Sequence, residues 1–192
     1  MGGAPVPPVV KFGHGYIQGA EHAARELGLG AGEVTVNFHY LGDFAPQPEF
    51  AVMAGSWFTS GTSVIFAAAG SAGGNVKSAA EGNNGVVIGV DTDQAALSPT
   101  VITSAMKGLA VSVYDLLVAY MNDNFVGGRI IAYSAANNGI ALPMASSRFQ
   151  SFTQAQYDAV YAQLANGSIR VNGTLDMPEV VAGLTIVTVE VR

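Results

Sequence analysis

Two segments of the sequence follow short apolar runs and contain residue types that bind small ligands in α/β proteins. The first run, residues 63–69, leads into the glycine-rich segment 70–74. The second run, residues 86–90, leads into the acidic segment 91–94, which reads Asp-Thr-Asp-Gln. Because ligands in open α/β sheets bind beyond the carboxyl ends of the strands, both segments are candidate ligand-binding loops.

The glycine-rich segment could place backbone amides against a ligand. Glycines let a ligand approach the main chain closely, and amides at the start of a helix favour an anion or a polar group. The spacing G-S-A-G-G does not match the dinucleotide fingerprint G-x-G-x-x-G. On this pattern alone, a tight turn that only saves space is an equal alternative.

The acidic segment offers a carboxylate at the end of a strand. Asp91 could accept hydrogen bonds from sugar hydroxyls or from a ring nitrogen, and the pair Asp91 and Asp93 could hold a hard cation. The alternative is that Asp93 caps the next turn while Asp91 faces water. Lys107 is a third candidate because few charges occur in the apolar segment around it, and a lysine that snorkels to the surface is the alternative.

The remaining polar residues do not predict catalysis or a metal site. The three histidines lack the spacing of metal ligands, and no G-x-S-x-G elbow is present. No pair of carboxylates is placed in a way that argues for acid–base chemistry. We therefore expect a protein that is not an enzyme and that needs neither a metal ion nor a cofactor.

The apolar periodicity indicates helices that alternate with strands. The runs at 63–69 and 86–90 are apolar throughout, which is typical of parallel strands buried on both faces. We therefore predict an α/β fold with a parallel sheet flanked by helices. The predicted helices cover about 12–27, 50–58, 76–80, 102–122 and 153–164, and the predicted strands cover about 34–40, 63–69, 86–90, 129–133, 139–144 and 184–191.

The composition excludes several classes of protein. The 192 residues carry a net charge of −6 and only 8 Lys and Arg, so we expect no basic surface for nucleic acid. The absence of cysteine excludes disulfides and thiolate metal sites. No apolar run approaches the roughly 20 residues that span a bilayer, and residues 1–8 lack the features of a signal peptide.

Several of these segments, in the same order, resemble the basic membrane protein family of substrate-binding proteins, which includes purine nucleoside receptors. The resemblance covers about residues 2–171 and is most specific at residues 88–94. The segments that carry it are FGHGYIQGA (12–20), YLGDF (40–44), SVIFAAAG (63–70), VIGVDTDQ (87–94), VITSAMK (101–107) and NFVGG (124–128).

The resemblance implies the type I periplasmic-binding-protein fold, in which two α/β lobes hold a ligand in a cleft. The chain would correspond mainly to the second lobe, with the segment that returns to the first. Family members bind nucleosides or nucleobases for ABC importers or sensors, so the implied location is extracellular or periplasmic. By resemblance, Phe66 would stack on the base, Asp91 and Lys107 would hydrogen-bond the ligand, and the backbone of Gly70 and Ser71 would line the pocket. Ser71 departs from the glycine that is frequent there.

The resemblance also implies residues that this chain lacks. Family members have over a hundred residues before the segment matched by Gly2 and Gly3, including most of the first lobe and the opening strand of the second. We therefore expect residues 1–171 to form a truncated binding-protein region and residues 172–192 to form a C-terminal strand extension. That strand could fill the missing strand's place or add to a neighbour's sheet.

The missing lobe leaves two functions open. The chain could be a ligand-binding module that works with a separate first-lobe chain, or with identical subunits. Alternatively, it could be a structural or assembly protein in which a truncated lobe self-associates and covers the apolar face of its long helix.

Overall fold

The computed structural model describes residues 1–192, which form two compact units. The first unit contains residues 1–87 and 171–192, and the second contains residues 88–170. Helices and strands alternate along most of the chain, which confirms the predicted α/β class. In chain order the elements are α1 (Pro7–Glu26), β1 (Val34–Phe38), α2 (Pro48–Thr59), β2 (Val64–Phe66), α3 (Gly73–Asn83), β3 (Val86–Asp91), β4 (Val101–Lys107), α4 (Leu109–Met121), β5 (Ile140–Ala141), α5 (Gln154–Ala165), α6 (Met177–Ala182) and β6 (Val187–Val191).

The strands belong to two sheets. In one sheet, β1 and β6 pair in parallel, with Val34 opposite Val187 and Phe38 opposite Val191. The other sheet has the strand order β2-β3-β4-β5, in which β5 is antiparallel to β4. The division between the two units falls within β3, after Val87.

Helix α1 supplies a large part of the core of the first unit, because its buried residues recur at helical spacing. Ile17 packs with Phe38 of β1 and Val180 of α6 in one apolar cluster. Just past the end of the helix, Gly28 has a φ of +69°, which glycine adopts without steric cost. The buried residues of α1 are Val10, His14, Ile17, Glu21 and Ala24.

Residues 1–3 lie between the carboxyl ends of β1 and β2 and bond to the chain on both sides. On one side, the Gly2 N–H donates to the carbonyl oxygen of His39 at 2.8 Å. On the other side, the Ala68 N–H donates to the carbonyl oxygen of Met1 at 3.0 Å. These three residues therefore occupy the position of the last residues of a strand that would run between β1 and β2.

The segment 184–191 contains the predicted final strand, and β6 pairs with β1 of the same chain. The Arg192 N–H donates to the carbonyl oxygen of Phe38 at 2.9 Å. The Leu41 N–H, further along the chain, donates to the Gly2 carbonyl oxygen at 2.8 Å. Because even- and odd-numbered residues of a strand bond towards opposite edges, β6 lies on the edge of β1 that faces away from residues 1–3. β6 therefore extends the sheet outward and does not fill the place between β1 and β2.

The second unit corrects the prediction of a long helix that begins at residue 102. Residues 101–107 form β4, in which Val101, Thr103 and Ser104 are buried, and α4 begins only at Leu109. The β-branched residues at the start of this segment favour an extended backbone. The apolar spacing of the segment fits a helix as well as a strand, which is why periodicity alone gave the wrong element.

In the second unit, two further predicted strands differ from the structure, and one predicted helix is confirmed. Residues 129–133 form no strand, and the strand expected at 139–144 is limited to the two residues of β5. Helix α5 begins as predicted after Thr153, whose side chain accepts a hydrogen bond from the Gln156 N–H. The Gln156 side chain returns the bond to the Thr153 N–H, which completes a capping box.

Helix α4 is apolar, yet none of its residues is buried. Among its large side chains, Val113 is 57% exposed and Leu117 is 58% exposed. Exposed apolar surface of this extent often marks a contact site for another protein. None of the helices combines the length and the apolar character that crossing a lipid bilayer requires.

Candidate functional site

Phe66, the predicted stacking residue, is the last residue of β2 and is buried in the first unit. Its ring makes an edge contact with Phe12 of α1, at a centroid distance of 5.8 Å and an interplanar angle of 83°. The Tyr16 ring lies 5.4 Å away in a tilted arrangement. Such pairs contribute roughly 0.5–1.5 kcal/mol beyond area burial, so Phe66 already has aromatic partners within the protein.

Gly70 and Ser71 begin a short 3-10 turn that leads into α3. Both residues are exposed, and Gly70 has a φ of +54°. A Cβ at Gly70 would make an ordinary contact of 3.4 Å with the Cβ of Phe44, so glycine is favoured here by its backbone conformation and not by lack of space. The Ala72 N–H, at the end of the turn, donates to the Phe44 carbonyl oxygen at 2.9 Å. The exposed loop therefore has a defined backbone against which a polar ligand group could lie.

Asp91 and Lys107 meet in the second unit, where the sequence alone had not paired them. The Lys107 Nζ lies 2.6 Å from the Asp91 Oδ1, and the two side chains are 38% and 45% exposed. Asp91 ends β3 with a φ of +69°, and Lys107 ends β4. The two strand ends thus place an anion and a cation side by side, partly open to solvent.

The backbone of Asp91 is held in a conformation that residues with a Cβ rarely adopt. A positive φ costs a non-glycine residue of order 1–2 kcal/mol, although aspartate tolerates it better than most. A half-exposed ion pair stabilises the folded state by roughly 0–1 kcal/mol, which is no more than the cost of the positive φ. The strain at Asp91 is therefore not explained by stability alone, and such residues concentrate at binding sites.

Asp93 has a structural role in its own loop. Its Oδ1 accepts a hydrogen bond from the Ala95 N–H at 3.0 Å, and its Oδ2 accepts one from the Ser146 hydroxyl at 2.5 Å. These bonds, from Ser146 first and then Ala95, hold the pKa of Asp93 below its usual value. Of the two alternatives for this residue, the structure shows the turn cap. No group of three or more His, Asp or Glu side chains is arranged to hold a metal ion.

Each unit contains part of the predicted site. Phe66, Gly70 and Ser71 lie in the first unit, and Asp91 and Lys107 lie in the second. The structure brings Asp91 and Lys107 into direct contact.

The first unit contains a buried carboxylate, Glu21, that was not predicted from the sequence. The Glu21 side chain accepts hydrogen bonds from the backbone N–H groups of Thr185, Ile186 and Val187, at distances of 2.9–3.0 Å. The Thr185 hydroxyl adds a further bond at 2.6 Å. Burial alone would raise the pKa of Glu21, but these bonds outweigh it and lower the pKa to about 2. The sequence feature that could have indicated this buried carboxylate is the position of Glu21 on the apolar face of α1.

The first unit also contains a cleft of about 580 Å³ between β1 and β2. Residues 34–38 and 63–66 border it, together with Met1 and Trp57. At its end, the Met1 amine donates to the Phe66 carbonyl oxygen at 2.8 Å. Burial lowers the pKa of this amine to about 5, so it is largely uncharged at neutral pH.

Known structures share the fold of this chain. An ABC transporter solute-binding protein from Aeropyrum pernix K1 superposes with a TM-score of 0.70 at 20% identity, over 94% of this chain and 58% of that protein. A solute-binding protein from Conexibacter woesei superposes with a TM-score of 0.63 at 22% identity, over 90% of this chain and 55% of that protein. The fold is therefore that of the periplasmic-binding-protein type.

The sequence then places the chain in a family. The model of the Bmp family, described as ABC transporter substrate-binding protein PnrA-like, matches residues 1–174, so the chain belongs to this family. Basic membrane protein A1 of Borrelia garinii is 34% identical over 137 residues, which are 69% of this chain and 39% of that protein. The ABC transporter nucleoside-binding protein BmpA of Lactococcus lactis is 28% identical over 160 residues, or 74% of this chain and 44% of that protein. The chain spans about half the length, or less, of these relatives.

Proposed function

We propose that this chain is a ligand-binding part of an ABC transporter substrate-binding protein, with a nucleoside or nucleobase as its ligand and no catalytic activity. Family membership and the fold support the substrate-binding class. The name of the Lactococcus relative supports the nucleoside class. Family resemblance supports an extracellular or periplasmic location. The observation that carries the proposal is the ion pair between a strained Asp91 and Lys107 at two strand ends.

In this proposal, Asp91 and Lys107 supply the polar ligand contacts of the second unit. The carboxylate accepts hydrogen bonds from ribose hydroxyls or a ring N–H, and the ammonium donates to an acceptor on the ribose or base. Phe66 stacks on the base, which requires its ring to exchange part of its contact with α1 for the ligand. The backbone at Gly70 and Ser71, also in the first unit, adds polar contacts to the ligand. This chemistry needs no metal ion and no cofactor.

Isothermal titration calorimetry with purine and pyrimidine nucleosides and their free bases tests the proposal. Asp91→Asn keeps the shape of the side chain but removes the charge, and we expect about 10- to 100-fold weaker binding because hydrogen bonds to charged groups contribute roughly 1.5–3 kcal/mol. Asp158→Asn, in the exposed face of α5 of the same unit, is the matched control and should bind like the unchanged protein. No measurable binding of any of these compounds at millimolar concentration would overturn the proposal.

A second function, self-association as an assembly unit, is favoured by one observation. Helix α4 exposes Leu109, Val113, Leu117 and other apolar residues without burying any of them. An assembly unit would cover this surface with identical subunits. Light scattering on the purified chain separates the two functions. A series of oligomers that does not bind nucleosides would support assembly, and a monomer that binds them would exclude it.

A further inference from the structure

Asp91 is the central residue of a tight turn at the carboxyl end of β3. Its φ is +69°, and the N–H of Thr92 donates to the carbonyl oxygen of Val90 at 2.8 Å. A hydrogen bond between residues i and i+2 across a residue with a positive φ is typical of the classic γ-turn, which is rare and strained. The turn takes Asp91 out of the regular alternation of the strand, and its side chain reaches Lys107 of β4.

A strained backbone conformation persists only where the surrounding structure holds it in place. The side chain of Gln94 provides such support, because its Nε2 donates to the carbonyl oxygen of Val90 at 2.8 Å. This carbonyl oxygen therefore accepts two hydrogen bonds, one within the turn and one from Gln94, and so uses both of its lone pairs. The peptide group that precedes Asp91 is thus held from two directions.

Gln94 is itself anchored to the buried part of the second unit. Its backbone N–H donates to the Oγ of Ser104 at 3.0 Å, and Ser104 is a fully buried residue of β4. Lys107 lies three positions further along the same strand. Gln94 therefore connects the turn at Asp91 to the strand that carries the cation paired with Asp91.

Gly89 provides the space that this arrangement requires. A Cβ at Gly89 would lie 2.8 Å from the Ser104 Oγ and 2.9 Å from the Gln94 Oε1, which is closer than such atoms approach each other. Because Gly89 has no side chain, Gln94 can fold back over the end of β3. The glycine at position 89 and the side chains at positions 94 and 104 are thus matched to one another.

We propose that Gln94 is a positioning residue, which holds Asp91 in the γ-turn and so directs the Asp91 carboxylate to the ligand and to Lys107. This inference rests on the proposed role of Asp91 in ligand binding. Gln94 acts through the Val90 carbonyl group and not through contact with the ligand. If Gln94 only stabilised the loop, its loss would lower Tm without changing the backbone of Asp91 in the folded protein.

Gln94→Met tests the inference, because methionine keeps the length of the side chain and removes the amide donor. One measurement is calorimetric titration with purine and pyrimidine nucleosides, for which we expect about tenfold weaker binding. The other is the nuclear Overhauser effect between the amide and α protons of Asp91 in the ligand-free protein. A positive φ brings these two protons close together, so we expect a weaker effect in the variant. Gln163→Met, on the exposed face of α5 in the same unit, is the matched control and should change neither measurement.

Gly89→Ala is a second variant, since the new Cβ would displace the Gln94 side chain from Val90, and we expect the same two effects. If neither variant folds by circular dichroism, hydrogen exchange in the unchanged protein decides the matter. The side-chain amide protons of Gln94 should then exchange at least about tenfold more slowly than those of Gln163, because they are held by a hydrogen bond.

The outcomes separate this inference from the proposed function. An unchanged Overhauser effect at Asp91 in Gln94→Met, or an unchanged affinity for nucleosides, would overturn the inference, with or without a fall in Tm. Equal exchange of the two side-chain amides would overturn it as well. If the unchanged protein binds no nucleoside, the proposed function fails, and the Overhauser effect still decides whether Gln94 holds Asp91.

Discussion

Replacing Glu21 by glutamine should release the C-terminal segment from α1 and destabilise the first unit. The carboxylate accepts one hydroxyl and three backbone hydrogen bonds from residues 185–187. In Glu21→Gln the amide group brings N–H donors to a place where the protein supplies donors, so at least one buried N–H loses its acceptor. The change also removes the negative charge that pairs with Arg25 at 3.0 Å.

The lowered pKa of Glu21 gives the size of its contribution to the unfolding free energy. A lowering from 4.5 to about 2 corresponds to about 3 kcal/mol of unfolding free energy, at about 1.4 kcal/mol for each unit of pKa. The sign follows because the folded carboxyl has the lower pKa. The contribution is present in full above pH 4.5 and is lost as the pH falls through about 2. We therefore expect a loss of about 2–4 kcal/mol at pH 7, which shrinks as the solution is acidified.

Urea unfolding followed by Trp57 fluorescence measures this loss, because Trp57 is buried in the first unit. Glu26→Gln is the matched control, since Glu26 lies on the same helix, is 63% exposed and pairs only with His22 at 3.4 Å. Its loss should stay below about 1 kcal/mol. If Glu21→Gln costs no more than Glu26→Gln, or if its cost does not depend on pH between 2 and 5, the assigned role of Glu21 is wrong.

Three further changes test other parts of the structure. Asp91→Gly removes the strain of a positive φ, so we expect an unchanged or slightly raised Tm. We also expect the variant to lose nucleoside binding. A clear fall in Tm would show that Asp91 stabilises the fold. Gly108→Ala should lower the unfolding free energy of the second unit by about 1–3 kcal/mol in urea titrations, because the new Cβ would lie 2.4 Å from the Asn138 carbonyl oxygen. An unchanged unfolding free energy would contradict this packing. Leu117→Glu, on the exposed face of α4, should leave Tm within about 2 °C and lower the mass measured by light scattering if the chain self-associates.

Local pattern predicted those elements whose residues carry an unambiguous signal. The helix at about 153–164 was predicted from its apolar spacing, and the strands at 63–69 and 86–90 were predicted from runs that are apolar throughout, although the first of these strands is limited to residues 64–66. The segment 101–107 was misassigned because apolar residues at its spacing fit a helix and a strand equally well. Residues 129–133 have the composition of a strand but form none, since a strand also needs a paired neighbour.

The candidate site divides in the same way. Phe66, Gly70, Ser71, Asp91 and Lys107 were chosen from residue type and resemblance, and their roles in binding stay predictions. The sequence offered no reason to pair Asp91 with Lys107, which are separated by sixteen positions and lie at the ends of different strands. Glu21 was not chosen at all, because the backbone N–H groups that bond to it are more than 160 positions away in the chain.

The sequence by itself determined the family, the α/β class and the lack of thiol chemistry, because composition, periodicity and local motifs depend on residues close together in the chain. Only the tertiary structure decided that β6 adds to the outer edge of β1, that Asp91 and Lys107 form an ion pair, and that a cleft remains between β1 and β2. These features depend on which strands become neighbours. Strand pairing depends on packing and backbone hydrogen bonds between segments that are distant in the chain, so local sequence patterns do not predict it.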